Sequence, residues 1–346
     1  MKQMTDSVST NHAPIENFLP LRRIFLTGGS GYIGRNLIRH FIARDAELTA
    51  LARSEASAEV VQKLGATPFR GDLFNADLSI AMAGCDTLVH AAADTNHGLA
   101  TERQRLINVD GTRAVLKAAH VAGIKRVLHI STESVLATGQ PLVNVNETMP
   151  IPIRPVGCYS GTKAAAERIA LNANAAGFEI MVLRPRFVWG RDDTTALPAL
   201  VTAVRSGKFA WISGGMYLTS TTHIANLCHA VELALGRGRG GEVYFVSDGD
   251  PISFRRIVSG LLETQGLRVP DKTVPRFMVR SVAAAGDILA RGTGGRIVSP
   301  LTLQAYATSA VEVTLDISKA KSELGYAPVL SFENGLAELR QLTLTS

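Results

Sequence analysis

Tyr159 and Lys163 are the residues of this sequence whose types and spacing point most directly to proton-transfer chemistry. A spacing of four puts both side chains on one face of a helix, and a helix is predicted over 160–175. A free phenol titrates near pH ~10, which is too high for an acid–base group at neutrality. We expect the neighbouring ammonium to lower the pKa of Tyr159, and we expect Lys163 to hold a ribose as well.

The hydroxyl side chains of Ser131, Thr132 and Ser134 follow a strand predicted over 126–132. In an open parallel sheet, ligands bind at the carboxyl ends of the strands. A hydroxyl at this edge can donate a hydrogen bond to a substrate oxygen and orient it for Tyr159. The alternative is that these side chains cap the turn or the next helix, and spacing alone does not choose Thr132 over Ser131.

Glycines at 28, 31 and 34 lie in the run TGGSGYIG, which follows a strand predicted over Arg23–Thr27 and opens a helix. Gly28 can make the tight turn, Gly31 lets the backbone approach a pyrophosphate, and Gly34 lets the helix lie close to the sheet. Tyr32 and Ile33 begin the helix, whose unpaired N–H groups and partial positive charge favour phosphates. This context predicts a bound dinucleotide.

Arg53 follows the second predicted strand, at the position where an acidic residue would bind a free ribose 2′-hydroxyl. A guanidinium can instead bind a 2′-phosphate, which favours NADP(H) over NAD(H). The alternative is a solvated arginine. After the third strand, Asp72 and Leu73 are candidates for the adenine end, although an aspartate at this place often only forms a turn.

The fourth predicted strand, 87–91, ends in the run HAAA. The small side chains of Ala91 and Ala92 leave room for a ribose and a nicotinamide beside the sheet. His90 is a candidate contact of the same cofactor, and it can equally be a core histidine with satisfied nitrogens.

Short β-branched runs alternate with helical patterns from residue 22 onward, which is typical of βαβ units. The predicted fold class is α/β, a doubly wound parallel sheet of the Rossmann kind with a smaller, mostly helical C-terminal substrate lobe. We expect a flexible tail over 1–20 and a dinucleotide-binding domain over 21–185, with return elements near 213–248. The substrate lobe then takes 186–212 and 249–346.

The composition is that of a globular protein, with 46% hydrophobic and 19% charged residues and a net charge of +6 over 346 residues. The basic residues are scattered, so nucleic acid is not an expected partner. The three cysteines have no CxxC spacing and no histidine cluster, which argues against a zinc site and favours a reducing compartment, the cytoplasm. The apolar stretch 277–289 contains Arg280 and Asp287 and is shorter than the ~20 residues of a spanning helix, so it predicts a packed amphipathic helix.

Taken in order, these motifs resemble the extended short-chain dehydrogenase/reductase superfamily. The run NVDGT at 108–112, the run LRP ending at Pro185, and the stretch 316–328 continue the match. The resemblance implies that Thr132 takes the place of the usual serine, that Tyr159 is the acid or base, and that Lys163 positions the cofactor. Pro185 would lie beside the nicotinamide. The implied reaction is direct hydride exchange between a secondary alcohol or ketone and the nicotinamide.

The run RPRFVWG at 184–190 most resembles the branch of 3β-hydroxysteroid and sterol-4-carboxylate dehydrogenases, which implies a bulky, hydrophobic ketone or alcohol. Nucleotide-sugar epimerases usually have an asparagine where this chain has Phe187. An epimerase or dehydratase stays an alternative, because Arg186 and Arg191 could grip a diphosphate. A non-catalytic NADP-binding regulator is a further alternative. The family often pairs through helices near 102–122 and 160–176, which implies a possible homodimer.

Overall fold

The computed structural model describes residues 23–75, 77–98, 101–293 and 301–344. The tail predicted over 1–20 lies outside the described residues. In chain order the strands are β1 (Arg23–Thr27), β2 (Glu47–Ala52), β3 (Thr67–Arg70), β4 (Thr87–His90), β5 (Arg126–Ile130), β6 (Leu142–Val145), β7 (Glu179–Pro185), β8 (Val188–Trp189), β9 (Trp211–Ile212), β10 (Leu218–Thr219), β11 (Thr222–His223), β12 (Val243–Val246), β13 (Ile252–Ser253), β14 (Thr273–Val274) and β15 (Val313–Leu315).

The α-helices are α1 (Tyr32–Ile42), α2 (Glu55–Lys63), α3 (Leu78–Ala81), α4 (Glu102–Arg105), α5 (Gly111–Val121), α6 (Gly157–Asn172), α7 (Ala196–Arg205), α8 (Ile224–Arg237), α9 (Phe254–Thr264), α10 (Arg276–Gly292), α11 (Leu303–Ser309) and α12 (Phe332–Leu344). Short 3₁₀ turns lie at Glu133–Leu136 and Ser213–Gly215, and π-helical turns lie at Leu106–Asp110 and Ala320–Leu324.

Seven parallel strands form the main sheet in the order β12-β7-β5-β4-β1-β2-β3. Strand order reverses between β1 and β4, so a crevice opens there at the carboxyl edge, where ligands of doubly wound sheets bind. This arrangement confirms the predicted α/β class. The edge strand β12 returns to the sheet from the second half of the chain.

Alternate residues of the central strands face two separate cores, because successive side chains of a strand point to opposite sides. On one side, Phe25, Leu88 and Val127 pack with Val115 of α5 and with α6. On the other side, neighbouring strand residues pack with Leu37 of α1 and with α8. Burial on both faces explains the continuous apolar runs of the strands.

The C-terminal part is helical and also contains a small sheet in the order β13-β10-β15-β6. Strand β6 precedes α6 in the chain yet pairs in parallel with β15. A third core surrounds Trp189 and Trp211 and includes α9 and α12. The two parts of the molecule therefore share a sheet and are interleaved along the chain.

Helix α10 covers the segment predicted as a packed amphipathic helix. Val279, Ala283 and Ala290 are buried, whereas Phe277 and Ile288 are 72% and 70% exposed. Among the residues that the structure describes, no helix has both the length and the apolar character needed to cross a bilayer.

Candidate active site

The turn between β1 and α1 leaves no space for side chains at two of its glycines. Gly28 has φ +77°, and a Cβ there would lie 2.8 Å from the backbone of Ala91 and Ala92. A Cβ on Gly34 would lie 2.1 Å from the carbonyl oxygen of Gly28. Helix α1 therefore starts in close contact with the end of β4. Its first N–H groups, at Tyr32 and beyond, can approach a pyrophosphate as the glycine spacing predicts.

The side chain of Tyr32 points away from this turn into the interior, where burial raises the pKa of its phenol well above the usual value, as do nearby acidic groups. Ile33 packs against the core between the sheet and α1. The buried side chain of Tyr32 is therefore not available to a cofactor, whereas Ile33 is only partly buried.

His90 is fully buried, and both of its ring nitrogens have partners. Its Nδ1 lies 2.7 Å from the hydroxyl of Thr27, and its Nε2 lies 3.0 Å from the hydroxyl of Thr112. Since Thr112 donates its proton to the carbonyl of Asn108, it must accept one from Nε2 of His90. Burial, followed by the charge of Lys163, lowers the pKa of His90 to about 3. The ring is a neutral core element, which matches the alternative given for it above.

At the other end of the crevice, Arg53 is exposed directly after β2. The next residue, Ser54, caps α2 by accepting a hydrogen bond from the N–H of Ser57 at 3.2 Å. Asp72 accepts a hydrogen bond from the N–H of Phe74 at 2.8 Å, which is the turn-forming alternative. Leu73 packs against Gly111 at the start of α5, where a Cβ on the glycine would lie 2.6 Å from Cδ1 of Leu73.

Tyr159 and Lys163 lie in the first turns of α6, and both reach toward the end of β5. Lys163 is buried and donates a hydrogen bond from Nζ to the carbonyl oxygen of Ile130 at 2.6 Å. Burial lowers the pKa of Lys163 to about 8, and the charge of Glu167 opposes that change. The phenol of Tyr159 forms a hydrogen bond with the side chain of Thr132.

The expected lowering of the Tyr159 pKa by Lys163 is not what the structure gives. Burial raises the pKa of Tyr159 above its usual value, and the negative charge of Glu133 raises it further. The hydrogen bond from Thr132 acts in the opposite direction and is the smaller effect. The expectation considered only the ammonium four residues away and missed both the enclosure of the phenol and a carboxylate from another element.

Ser131 and Thr132, which the sequence could not distinguish, have different partners. Ser131 donates to Oε2 of Glu167 at 2.5 Å, and Glu167 also forms a buried ion pair with Arg184. Thr132 lies beside Tyr159, donates to Oε2 of Glu133 at 2.9 Å, and accepts from the N–H of Ser134 at 3.2 Å. Thr132 therefore caps the 3₁₀ turn and lies at the site as well.

Two residues of the site were missed by the sequence reasoning. Glu133 is buried, and its Oε1 lies 2.8 Å from Nη1 of Arg186. His97, in the loop after β4, places its ring centroid 4.8 Å from that of Tyr159 at an angle of 45°. A carboxylate inside the run of hydroxyls was a signal for Glu133. No local pattern marks His97.

Helix α11 closes over the start of α6 through Gln304, which is 1% exposed. Its Nε2 donates to the hydroxyl of Ser160 at 2.8 Å, and its Oε1 accepts from the N–H of the same residue at 3.2 Å. The carbonyl of Thr308, also on α11, accepts a hydrogen bond from Nη2 of Arg186 at 2.6 Å. The C-terminal part thus contacts α6 directly.

Pro185 is the last residue of β7 and pairs with Val246 of β12, so it lies at the carboxyl edge of the sheet. Two residues later, Phe187 has φ +40°, a strained conformation for a bulky side chain. Its ring meets that of Phe254 edge to face at 6.2 Å, and Phe254 stacks on Tyr217 at 5.4 Å. An aromatic group therefore follows the strand end beside the predicted nicotinamide position.

Residues 25–276 match the 3-beta hydroxysteroid dehydrogenase/isomerase family. The chain belongs to this family. A ketoreductase of Stigmatella aurantiaca, named for 4-hydroxy-2-methyl-3-oxo-4-farnesyl-3,4-dihydroquinoline-1-oxide, is 47% identical over 320 residues, which are 92% of this chain and 96% of that protein. A 3-beta-hydroxysteroid dehydrogenase of Mycolicibacterium neoaurum is 30% identical over 335 residues, which are 92% of this chain and 90% of that protein.

Solved structures confirm the fold of this family member. A UDP-glucuronic acid 4-epimerase of Bacillus cereus in complex with NAD aligns with a TM-score of 0.69 and 22% identity, over 93% of this chain and 99% of that one. At this identity the likeness shows the fold alone. With the family assigned, the chain is a nicotinamide-dependent oxidoreductase that interconverts a ketone and a secondary alcohol.

Proposed function

We propose that this family member reduces a ketone on a bulky, mainly hydrophobic substrate, with Tyr159 as proton donor and NADP(H) as the preferred cofactor. The observation that carries the proposal is the meeting of Tyr159, Thr132 and Lys163 at the end of β5. This edge of the sheet lies beside the glycine turn at Gly28, where a Cβ would clash and a backbone can approach a ligand.

The residues of the site suit the chemistry of a ketone. A nicotinamide dinucleotide in the crevice would supply the hydride, and Gly28, Gly31 and Gly34 would hold its pyrophosphate. Tyr159 gives its phenol proton to the carbonyl oxygen as the carbon accepts hydride. Lys163, with a pKa of about 8, is mostly charged at pH 7 and can bind a ribose hydroxyl.

The contacts of Arg186 favour a ketone over a nucleotide sugar. Arg186 is 3% exposed and its guanidinium is bonded to Glu133 and to the carbonyl of Thr308. A guanidinium held in this way is not free to grip a diphosphate, so the epimerase alternative, which relied on Arg186 and Arg191, would depend on Arg191. The aromatic group of Phe187, Phe254 and Tyr217 instead suits an apolar substituent, and the Stigmatella relative is named for a farnesyl-bearing ketone.

The test is Tyr159→Phe, assayed against ketones with large apolar substituents by the absorbance of the reduced nicotinamide. We expect turnover to be lost while cofactor affinity is kept, because the ring still fits and only the proton donor is removed. Tyr244→Phe is the matched control, since that buried tyrosine binds Glu323 far from the site. Full activity in the Tyr159 variant would overturn the proposal. Turnover of a nucleotide sugar without added cofactor would favour an epimerase.

The exposed Arg53 supports the preference for NADP(H). In Arg53→Glu, a negative carboxylate would lie beside the negative 2′-phosphate of NADPH and should weaken its binding. The same carboxylate can accept a hydrogen bond from the 2′-hydroxyl of NADH and should strengthen its binding. Each contact is worth about 1.5–3 kcal/mol, roughly tenfold to a hundredfold in Kd. Calorimetric titration of both cofactors measures this. Tighter NADH binding by the unsubstituted protein would refute the preference.

We further propose a cytoplasmic homodimer that pairs through the helices near 102–122 and 160–176. The exposed apolar side chains of Leu106 and Val121 support this surface, and the three free cysteines suit a reducing compartment. Light scattering after size-exclusion chromatography measures the mass in solution. A monomer at micromolar concentration would contradict the dimer.

A further inference from the structure

Helix α10 presents large apolar side chains to solvent along one face. Five of them, Phe277, Met278, Val282, Ile288 and Leu289, are each between 48% and 72% exposed. Phe277 and Ile288 lie along one row of this face, and the other three lie along the next row, because their spacings are close to whole turns of a helix. An exposed apolar surface of this kind marks a contact with a protein or a membrane.

The opposite side of α10 is packed against the protein by small side chains. Val279, Ala283 and Ala290 form a third row, and each is at most 8% exposed. Val279 and Ala283 belong to the core that also contains α1 and α8. At the start of the helix, the N–H of Arg276 donates to the hydroxyl of Ser213 at 3.1 Å. The helix is therefore attached to the protein by one side, and its large apolar side chains point away from that attachment.

The charged residues around this face are mostly basic. The segment 268–292 has five arginine or lysine residues and two aspartates, which leaves a net charge of +3. Arg280 is exposed on α10 itself, and Lys272 is exposed just before the helix. One of the two aspartates, Asp271, is bonded to Arg255 at 3.2 Å. The border of the apolar face is therefore positively charged.

An anionic lipid surface fits this combination better than a second copy of the chain does. In a two-fold contact the same patch lies on both copies, so the basic border of α10 would face itself. Like charges placed in this way oppose pairing. A bilayer with anionic lipids complements both parts of the surface, because its acyl chains take up apolar side chains and its headgroups attract arginine and lysine.

We propose that α10 binds this protein to an anionic lipid surface, with Phe277 and Ile288 at the boundary of the acyl chains and Arg280 at the headgroups. The helix lies in the plane of the interface and does not cross the bilayer, because its other side is packed on the core. This surface is separate from the residues that meet at the end of β5.

The proposed lipid surface begins close to the aromatic group that follows β7. The guanidinium of Arg276, the first residue of α10, lies over the ring of Tyr217 at 5.1 Å, and Tyr217 stacks on Phe254. A ketone with large apolar substituents partitions into lipid, so binding at α10 would bring the chain to its substrate. This consequence, unlike the lipid surface itself, rests on the proposed function.

The test is co-sedimentation of the full chain with vesicles of phosphatidylcholine, prepared with and without phosphatidylglycerol, in the absence of ketone and cofactor. We expect binding to the anionic vesicles, weaker binding to the neutral ones, and release at high salt, because salt screens the attraction to the headgroups. Phe277→Gln with Ile288→Gln should weaken binding about tenfold or more, since two apolar side chains no longer leave water. Arg280→Glu should reduce the preference for phosphatidylglycerol.

The matched control is Ile80→Gln with Ile153→Gln, which replaces two exposed isoleucines on α3 and in the segment before α6. This control should bind vesicles as the unsubstituted protein does. All four positions are exposed, so the variants should fold, and circular dichroism with thermal unfolding checks this.

Failure to bind anionic vesicles, or equal binding by the α10 and control variants, would overturn the proposal. Equal binding to neutral and anionic vesicles would contradict the role of Arg280. A dimer in solution that dissociates only in the α10 variant would assign the face to a second copy of the chain instead. A chain that binds vesicles but reduces no ketone would overturn the proposed function alone, because the sedimentation assay contains no substrate.

Discussion

Ser131 and Thr132 are neighbours with similar hydroxyls, and the fold gives them separate roles. Ser131 points to Glu167 on α6, inside a buried ion pair with Arg184. Thr132 points to the opposite side, toward Tyr159 and Glu133. Alternation along an extended chain explains the difference, because successive side chains face opposite sides. The hydroxyl of Ser131 therefore belongs to a buried ion-pair network, and that of Thr132 lies at the candidate site while it also caps the 3₁₀ turn.

The different partners of the two hydroxyls predict different effects on kcat for two small substitutions. Ser131→Ala should lower the free energy of unfolding by about 1–3 kcal/mol, because a buried carboxylate loses a hydrogen bond. Thr132→Val also takes a hydrogen bond from a buried carboxylate, Glu133, and it should in addition lower kcat by at least tenfold, since it removes the hydroxyl beside Tyr159. Denaturant unfolding and steady-state kinetics measure the two quantities. A larger loss of kcat in the Ser131 variant would reverse the assignment.

At the residue scale, the sequence pointed to Tyr159, Lys163 and Thr132 near the end of β5, but not to Glu133 or to the electrostatics there. Helical spacing was sufficient to bring Tyr159 and Lys163 together, since that relation is local. The direction of the Tyr159 pKa depends on enclosure and on Glu133, and neither follows from spacing within α6. Arg186 illustrates the same limit. Its charge suggested a diphosphate site, and only the packing of three segments reveals that the charge is already used.

Elements that depend on local pattern were predicted closely. The observed bounds of β1 equal the predicted ones, Arg23–Thr27, because short apolar runs bounded by turns define a buried strand. The helix expected near 102–122 contains a π-helical turn at Leu106–Asp110, a change of hydrogen bonding that composition does not reveal. Strand β6 was not predicted, because its partner β15 is far away in the chain.

Helix α11 connects the C-terminal part to α6, which carries Tyr159 and Lys163. Gln304→Leu keeps a similar volume but removes both hydrogen bonds to Ser160. We expect kcat to fall about tenfold, because Tyr159 would be misplaced. A tenfold loss corresponds to ~1.4 kcal/mol of activation free energy. Cofactor affinity should be kept. Gln265→Leu, at the end of α9, is the matched control. Equal kinetics in the two variants would mean that α11 does not position the site.

Three buried histidines affect the stability of the whole molecule. His90, His129 and His223 are each 1% exposed. Burial is the first cause that lowers the pKa of each, to about 3 for His90 and about 4 for His223. His90 and His129 lie on β4 and β5 of the main sheet, and His223 lies on β11 beside Trp189. Their protonation would place charge inside the shared core, where charge is poorly solvated.

The sign of the resulting pH dependence follows from linkage. A histidine whose pKa is lower in the folded state binds a proton more readily when unfolded, so its contribution is present above pH ~6.5 and is lost as the pH falls toward 3. For His90 alone the loss between pH 7 and pH 5 is about 2 kcal/mol, and His129 and His223 add to it in the same direction. Denaturant unfolding at both pH values measures the sum.

His90→Gln should make the drop in the free energy of unfolding smaller by about 2 kcal/mol, because glutamine does not titrate. His120→Gln, at an exposed position on α5, should leave it unchanged. If the His90 variant loses as much stability between pH 7 and pH 5 as the unsubstituted protein, the buried ring is not a source of acid sensitivity.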